Sequence, residues 1–485
     1  MDIKQLEPAG IWKNFSALNA VPRPSKKEEK VIAFIEAFGK QLGLPTTKDS
    51  AGNVIIKKPA TPGMENRKTI VLQSHLDMVH QKNADTKFDF NSEGIKMLVD
   101  GDWVKADGTT LGADNGIGVA SIMTILESTD IPHPAIEALF TIDEETGMTG
   151  ALALQGGLLD AEILLNLDTE EDNELTIGCA GGIDVTANAK YTETAAPSNS
   201  VFYKLSVKGL RGGHSGMEIH KGLGNANKIM NRILLSADNS IGIYIHSIDG
   251  GGLRNAIPRE SFSVVGVDTS KAVAFENAVD TLASTLKNEY ATTDPDLQVV
   301  LEKVSAKEKV FNSEFQQKIL RAIYACPNGI YRMSPDIPDL VQTSNNVARV
   351  VIQNGEASVQ CLCRSSVNTE KEDEVMAITS AFQLADCTIT SSGSYPGWQP
   401  SPHSEIVNIM SALYTEIFKG NVHVNACHAG LECGILGRNY PHMDMISFGP
   451  TIRGAHSPDE RVQISSVQKF WKYLLETLTR IPVKK

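Results

Sequence analysis

Apolar residues recur along this chain in two rhythms, and the change falls near residue 183. Before that point, and again close to the end, they form short unbroken runs at residues 69–73, 135–141, 161–167 and 443–448, with a shorter run at 53–57. An unbroken run of strand length predicts a strand covered on both faces. Helical spacings lie between the runs. Val31, Ile35, Phe38 and Leu42 follow Ser25-Lys-Lys-Glu28, which reads as a capping box, and Gly43 closes the segment. Residues 117–126 are apolar densely enough for a helix packed from two sides. Strands buried on both faces and separated by helices predict an α/β layer, a mostly parallel sheet flanked by helices.

Beyond 183 the period drops to two. Residues 202–208, 261–267, 297–302, 348–352 and 358–364 alternate apolar with polar, the pattern of strands with one solvated face, and helical segments at 272–288 and 313–325 fall between them. This part predicts an α+β domain with an antiparallel sheet. The polar stretches 192–200 and 391–398 read as the crossings between domains. The simplest organisation is one domain built from residues 1–183 and 396–485, interrupted by an insertion at 184–395. The insertion has room for two ferredoxin-like units, although no convincing internal repeat is visible.

Composition narrows the class. The 485 residues carry 45 basic and 58 acidic side chains, a net charge of −13, with no basic stripe in any window. That balance argues against nucleic acid as a partner. Seven scattered cysteines without a C-x-x-C pair suit small buried residues in a reducing compartment. The N-terminal residues do not read as a signal peptide and no run of eighteen apolar residues occurs, so a cytoplasmic protein without a membrane partner is expected.

The chemistry-bearing residues cluster where the unbroken runs stop. His75 and Asp77 follow the run at 69–73; Asp114 sits in Leu-Gly-Ala-Asp-Asn-Gly; Glu144 and Glu145 follow the run at 135–141; Asp168 follows that at 161–167; and His456 follows that at 443–448. Each fragment alone has a plainer reading. Asp114 or Asp168 could cap a helix, Glu144-Glu145 could be a solvated pair, and His75 with Asp77 could be an exposed strand end. Jointly they place nitrogen and oxygen donors at the carboxyl ends of strands, where open α/β sheets gather their ligands. So many carboxylates in one crevice are costly without cations, and two divalent metals would remove the cost.

Seven motifs in order carry a closer resemblance: Ser74-His-Leu-Asp-Met-Val79, Gly108-Thr-Thr-Leu-Gly-Ala-Asp-Asn-Gly116, Gly178-Cys-Ala-Gly-Gly-Ile-Asp184, Gly212-Gly-His-Ser-Gly216, Arg254-Asn-Ala-Ile-Pro-Arg259, Tyr395-Pro-Gly-Trp-Gln-Pro400 and His428-Ala-Gly-Leu-Glu-Cys-Gly434. With them the whole chain resembles the dinuclear-zinc M20 metallopeptidases, and within that family the aminoacyl-histidine (Xaa-His, carnosinase-like) dipeptidases. The resemblance implies two Zn2+ per chain, with Co2+ or Mn2+ as substitutes. His75 and Asp168 would hold one, Glu145 and His456 the other, and Asp114 would bridge both across a cis peptide to Asn115. A hydroxide shared by the metals would attack a small dipeptide, Glu144 acting as general base and Asp77 orienting His75. The insertion would be a lid bringing His214 to the oxyanion and Asn255 and Arg364 to the substrate's C-terminal side, with backbone near Gly434 assisting. A homodimer is the default assembly. A related deacylase or tripeptidase, or a non-catalytic metal- or peptide-binding protein, are the alternatives. One departure stands out: His80 occupies a position where the family usually has proline, and it is read as neutral. His428, like the other remaining histidines, is read as structural or exposed.

Overall fold

The computed structural model describes residues 3–484. The chain divides into two compact units: one from the residues up to Gly178 with Trp398–Ala426 and those from Leu431 on, the other from Cys179–Gly397 with Cys427–Gly430.

In the first unit an eight-stranded sheet runs in the order Thr46–Lys48, Val54–Lys58, Ile136–Thr141, Ile70–His75, Ile163–Asn166, Asp444–Ser447, Glu174–Cys179, His423–Cys427. The four central strands, Ile136–Thr141 to Asp444–Ser447, are parallel, and their outer neighbours pair antiparallel. Every residue of Ile70–His75 and Ile136–Thr141 is buried, which is why their sequences do not alternate. The helix Ala113–Glu127 is buried on nearly all sides, matching its dense apolar sequence. Near it, Trp12, Phe15, Val104, Ile117 and Val462 form a core shared with a four-stranded sheet made of Ile452–Arg453, Arg461–Gln463, Trp103–Ala106 and Met97–Asp100.

The expected capping box does not form. The helix begins at Glu29 with no side-chain cap. Lys26 takes a left-handed turn at φ 68°, Glu28 accepts from the Lys26 N–H, and the Ser25 hydroxyl donates to Asp77 Oδ2 at 2.8 Å. Ser25 is therefore spent on the site rather than on the helix.

The second unit is built on a nine-stranded antiparallel sheet. Its order is Gln298–Val304, Ser200–Lys208, Ser261–Asp268, Ile243–Gly251, Val341–Gln353, Glu356–Ser365, Gly181–Lys190, Thr388–Tyr395, with Gly329–Met333 beside Val341–Gln353. Its inward residues, among them Leu205, Ile245, Val265, Val347 and Val359, pack with Phe275, Ile319 and Phe382 from the helices Ala272–Glu289, Ser313–Ala325 and Asn368–Gln383. The polar stretch 192–200 is not a crossing: Glu193–Ala195 pairs with Lys309–Phe311 inside this unit. The units part at Gly178/Cys179 and, within the expected stretch 391–398, at Gly397/Trp398. The strand Gly181–Lys190 opens on two glycines and then alternates apolar with polar residues from Ile183 to Lys190, with Val185 and Ala187 on its buried face.

Candidate metal centre and substrate-contact residues

The parallel strands deliver their chemistry at one end. His75 ends its strand, Asp143 to Glu145 follow Ile136–Thr141, and Asp168 follows Ile163–Asn166. Asp114 lies in the first turn of its helix, joined to Asn115 by a cis peptide bond. The two oxygens of Asp114 face different imidazoles: Oδ1 is 3.2 Å from His75 Nε2, and Oδ2 is 3.3 Å from His456 Nε2. Asp168 Oδ1 lies 3.5 Å from His75 Nε2, and Glu145 Oε2 lies 3.1 Å from His456 Nε2. Two donor sets, each a nitrogen with a carboxylate, thus share one aspartate. Donor atoms of His75, Asp114 and Glu145 all lie within 4.8 Å of one another, a spacing that a metal ion can span.

The tautomer of His75 follows from its neighbours. Its Nδ1 faces the Asp77 carbonyl oxygen at 3.1 Å and Asp77 Oδ1 at 3.3 Å, both acceptors. Nδ1 therefore carries a proton, which leaves Nε2, facing Asp114 and Asp168, as the nitrogen that would ligate a metal while a carboxylate holds the ring. Electrostatics agree with this donor set. Hydrogen bonds to Asp114 and Glu145 lift the His456 pKa to about 11. Burial opposes charge on His75, yet Asp168, Asp114 and Asp77 outweigh it and hold its pKa well above the usual range. Burial pushes the Asp168 carboxyl up and takes Glu170 to about 8, with Asp114 adding to both. Without metal, protons on the histidines supply the cationic charge these acids demand. Zinc suits this mixture of imidazole and carboxylate, as do cobalt and manganese.

Glu144 sits among them, its pKa raised well above the carboxylate range by burial and by Asp168, Glu432 and Glu145. Asp77 ties it down: Glu144 N–H donates to Asp77 Oδ1 at 3.0 Å, and Glu145 N–H to Oδ2 at 3.3 Å. One buried aspartate therefore holds both the His75 ring and the backbone of the two glutamates.

Two residues absent from the sequence reading brace the centre. Glu460 Oε2 accepts from the N–H groups of Leu111 and Gly112 at 2.7 and 2.9 Å, and Oε1 from Ala113 and Asp114 at 2.7 and 3.2 Å. It therefore fixes the loop that presents Asp114. Arg23, fully buried, donates to the carbonyls of Leu76 and Asp77 at 3.0 and 3.1 Å and to that of Gly112 at 2.5 Å, joining the His75 strand end to the same loop. The available signals were slight: an arginine between prolines in Pro22-Arg-Pro24, and an acid four residues beyond His456.

The second unit carries the other expected residues. His214 is half-buried, and its Nδ1 accepts from the N–H groups of Gly216 and Met217 at 3.1 and 3.0 Å. Burial, then Arg364, lowers its pKa, so the ring is neutral with its proton on Nε2, a hydrogen-bond donor. Asn255 is exposed, and its carbonyl accepts from the Ser215 N–H at 2.8 Å. Arg364 is buried with Nη1 on the Tyr395 hydroxyl at 3.1 Å. Gly434 lies in the first unit, and its N–H is already spent on the Leu431 carbonyl at 3.1 Å. His80 is exposed and pairs edge-on with Phe90 at 5.9 Å.

A fold with a parallel-sheet unit, a large antiparallel unit and paired imidazole–carboxylate sets at strand ends defines a hydrolase of the metallopeptidase kind. Residues 71–480 match the peptidase family M20/M25/M40, and the chain belongs to that family. It is 43% identical over 483 residues to the cytosol non-specific dipeptidase of Escherichia coli, covering 100% of both chains. The crystal structure of the aminoacylhistidine dipeptidase from Vibrio alginolyticus superposes with a TM-score of 0.96 at 43% identity, over 100% of this chain and 99% of that one. A tripeptidase from Staphylococcus aureus shares the fold at a TM-score of 0.56 and 16% identity, over 98% of this chain and 99% of that one. Among the described residues no helix is long and apolar enough to cross a membrane.

Proposed function

We propose that this chain hydrolyses dipeptides, Xaa-His among them, using two divalent metal ions. The observation that carries the reading is Asp114, whose two oxygens address two different histidines at 3.2 and 3.3 Å. His75 and Asp168 would hold one ion, His456 and Glu145 the other, and Asp114 both. When bound, the metals would acidify a water molecule and polarise the scissile carbonyl. Glu144, held by Asp77 through its backbone, takes the proton of the attacking water and returns it to the departing amine. From the second unit, His214 would offer Nε2–H to the developing oxyanion, and Asn255 and Arg364 would meet the substrate's C-terminal side. Both full-length relatives are named as dipeptidases, which supports the substrate size.

Metal analysis combined with a substrate panel tests this. Two zinc equivalents per chain and turnover of Xaa-His and other dipeptides ahead of tripeptides and acylated amino acids are expected. Equal turnover of long peptides, or preference for acylated amino acids, would replace the dipeptide reading.

A further inference from the structure

Four residues of the second unit stand in one row across its sheet. Ser344 is the register partner of Arg364, Arg364 of Gly182, and Gly182 of Tyr395. Partners in adjacent strands present their side chains on the same face. Gly182 leaves its place in the row open, and the Tyr395 ring fills it: a Cβ on Gly182 would meet the tyrosine Oη at 2.7 Å. The ring thereby brings its hydroxyl to Arg364. At the other end of the row, His428 Nε2 lies 2.7 Å from Ser344 Oγ. Gly216 closes over the group, since a Cβ there would collide with the His428 carbonyl and meet Arg364 Nε and His214 Cε1 at 3.1 Å.

Two buried nitrogens in this group have no hydrogen-bond partner, Arg364 Nε and His428 Nδ1. Leaving buried polar atoms unpaired is costly unless a ligand pairs them. The nearby carboxylates are already engaged, Asp184 with Arg254 at 3.3 Å and Glu218 with Lys221 at 2.8 Å. His428 is 6% exposed, and burial, then Arg364 and His214, push its pKa down to about 3. The ring is thus neutral, a donor at one nitrogen and an acceptor at the other. When the Ser344 hydroxyl donates to Nε2, Nδ1 becomes an N–H beside the guanidinium. Two buried donors and a fixed positive charge suit a carboxylate.

We propose that His428, oriented by Ser344, is a specificity-determining residue that donates Nδ1–H to the C-terminal carboxylate of the substrate beside Arg364. This rests on the peptide-hydrolysing reading above and adds to it a requirement for a free C-terminus read by histidine as well as arginine. Ser344 is a positioning residue, acting only through the ring.

The test compares a dipeptide with its C-terminal amide on the metal-loaded chain and its H428Q, H428N and S344A variants. Gln keeps a polar group near Nε2 and lacks one near Nδ1, whereas Asn does the reverse. H428Q should raise KM for the free acid about tenfold or more with little change in kcat, and leave the amide within about twofold. H428N should recover most of the loss, and S344A should show a smaller loss with the same acid selectivity. A purely structural role would depress acid and amide together, and that result, or an unchanged acid-to-amide ratio, overturns the inference. If H428Q fails to fold, S344A decides on the same criterion. If the unsubstituted chain hydrolyses neither peptide, the hydrolytic reading fails. Calorimetric binding of acid against amide then decides the inference separately, and acid binding no tighter than amide overturns it.

Discussion

Each unit holds a pair of histidines at its candidate chemistry, buried His75 with exposed His456 in the first and half-buried His214 with buried His428 in the second, and the two pairs are tuned in opposite directions. In the first, His75 and His456 stand among carboxylates and their pKa values rise, that of His456 to about 11. In the second, burial and then the neighbouring Arg364 lower the pKa values of His214 and His428, that of His428 to about 3. The same side chain marks a place for cations where acids surround it and a place for anions where a guanidinium does. A peptidase needs both kinds of place, one to activate water and one to hold the peptide's negative end.

The largest effect should come from removing the shared ligand. Asp114→Ala should lose both metal equivalents and lower turnover by about 10⁴-fold or more, comparable with chelation of the parent chain; metal content after gel filtration together with activity checks this. Survival of either ion at full affinity would break the two-set picture. Next, Glu144→Gln should keep both metals and lose roughly 10²–10⁴-fold in kcat, since it removes proton transfer without touching a ligand. Turnover surviving that change would leave the acid-rich region without its base.

Glu460→Gln should act more weakly and through metal affinity. Gln retains one acceptor but loses the charge, so the Asp114 loop loosens and zinc affinity falls about 10- to 100-fold in competitive titration, with kcat at saturating metal less affected. Unchanged affinity would reduce Glu460 to a fold residue. The smallest signal is spectroscopic. In the metal-free chain His456 keeps its proton and His428 stays neutral throughout pH 5–8, because that window lies below the first pKa and above the second. Imidazole resonances of both should stay flat across it, and zinc should move those of His75 and His456 alone. Titration of His428 near 6.5 would erase the contrast.

The acid-rich region was the more legible of the two. Its donors stand where unbroken apolar runs end, so strand burial and chemistry are written in adjacent residues, as in Ile70–His75 followed by Asp77. The bracing of the centre was not legible, because Glu460 reaches a loop 349 residues away in sequence and no local pattern encodes that contact. Ser25 was misread for a related reason: a capping motif and a ligand to Asp77 use the same hydroxyl, and tertiary packing chose the second. The strand Gly181–Lys190 was legible by the period-two rule, because Ile183 to Lys190 alternate apolar with polar behind the two glycines, although Ala187 and Ala189 make the apolar face a weak one. His428 was not legible as a site residue because its partner Ser344, paired in register with Arg364, lies 84 residues away in sequence.

A second group of acids, Glu28, Asp77 and Asp143, also brings its oxygens within 4.8 Å of one another. That group holds no histidine, so zinc should favour the set around Asp114. Anomalous diffraction at the zinc edge from zinc-loaded crystals tests it most directly. Two peaks ~3.5–4 Å apart on either side of Asp114, one beside His75 and one beside His456, are the predicted result. A single peak at Asp114, or a peak among Glu28, Asp77 and Asp143 in place of the pair, would contradict it.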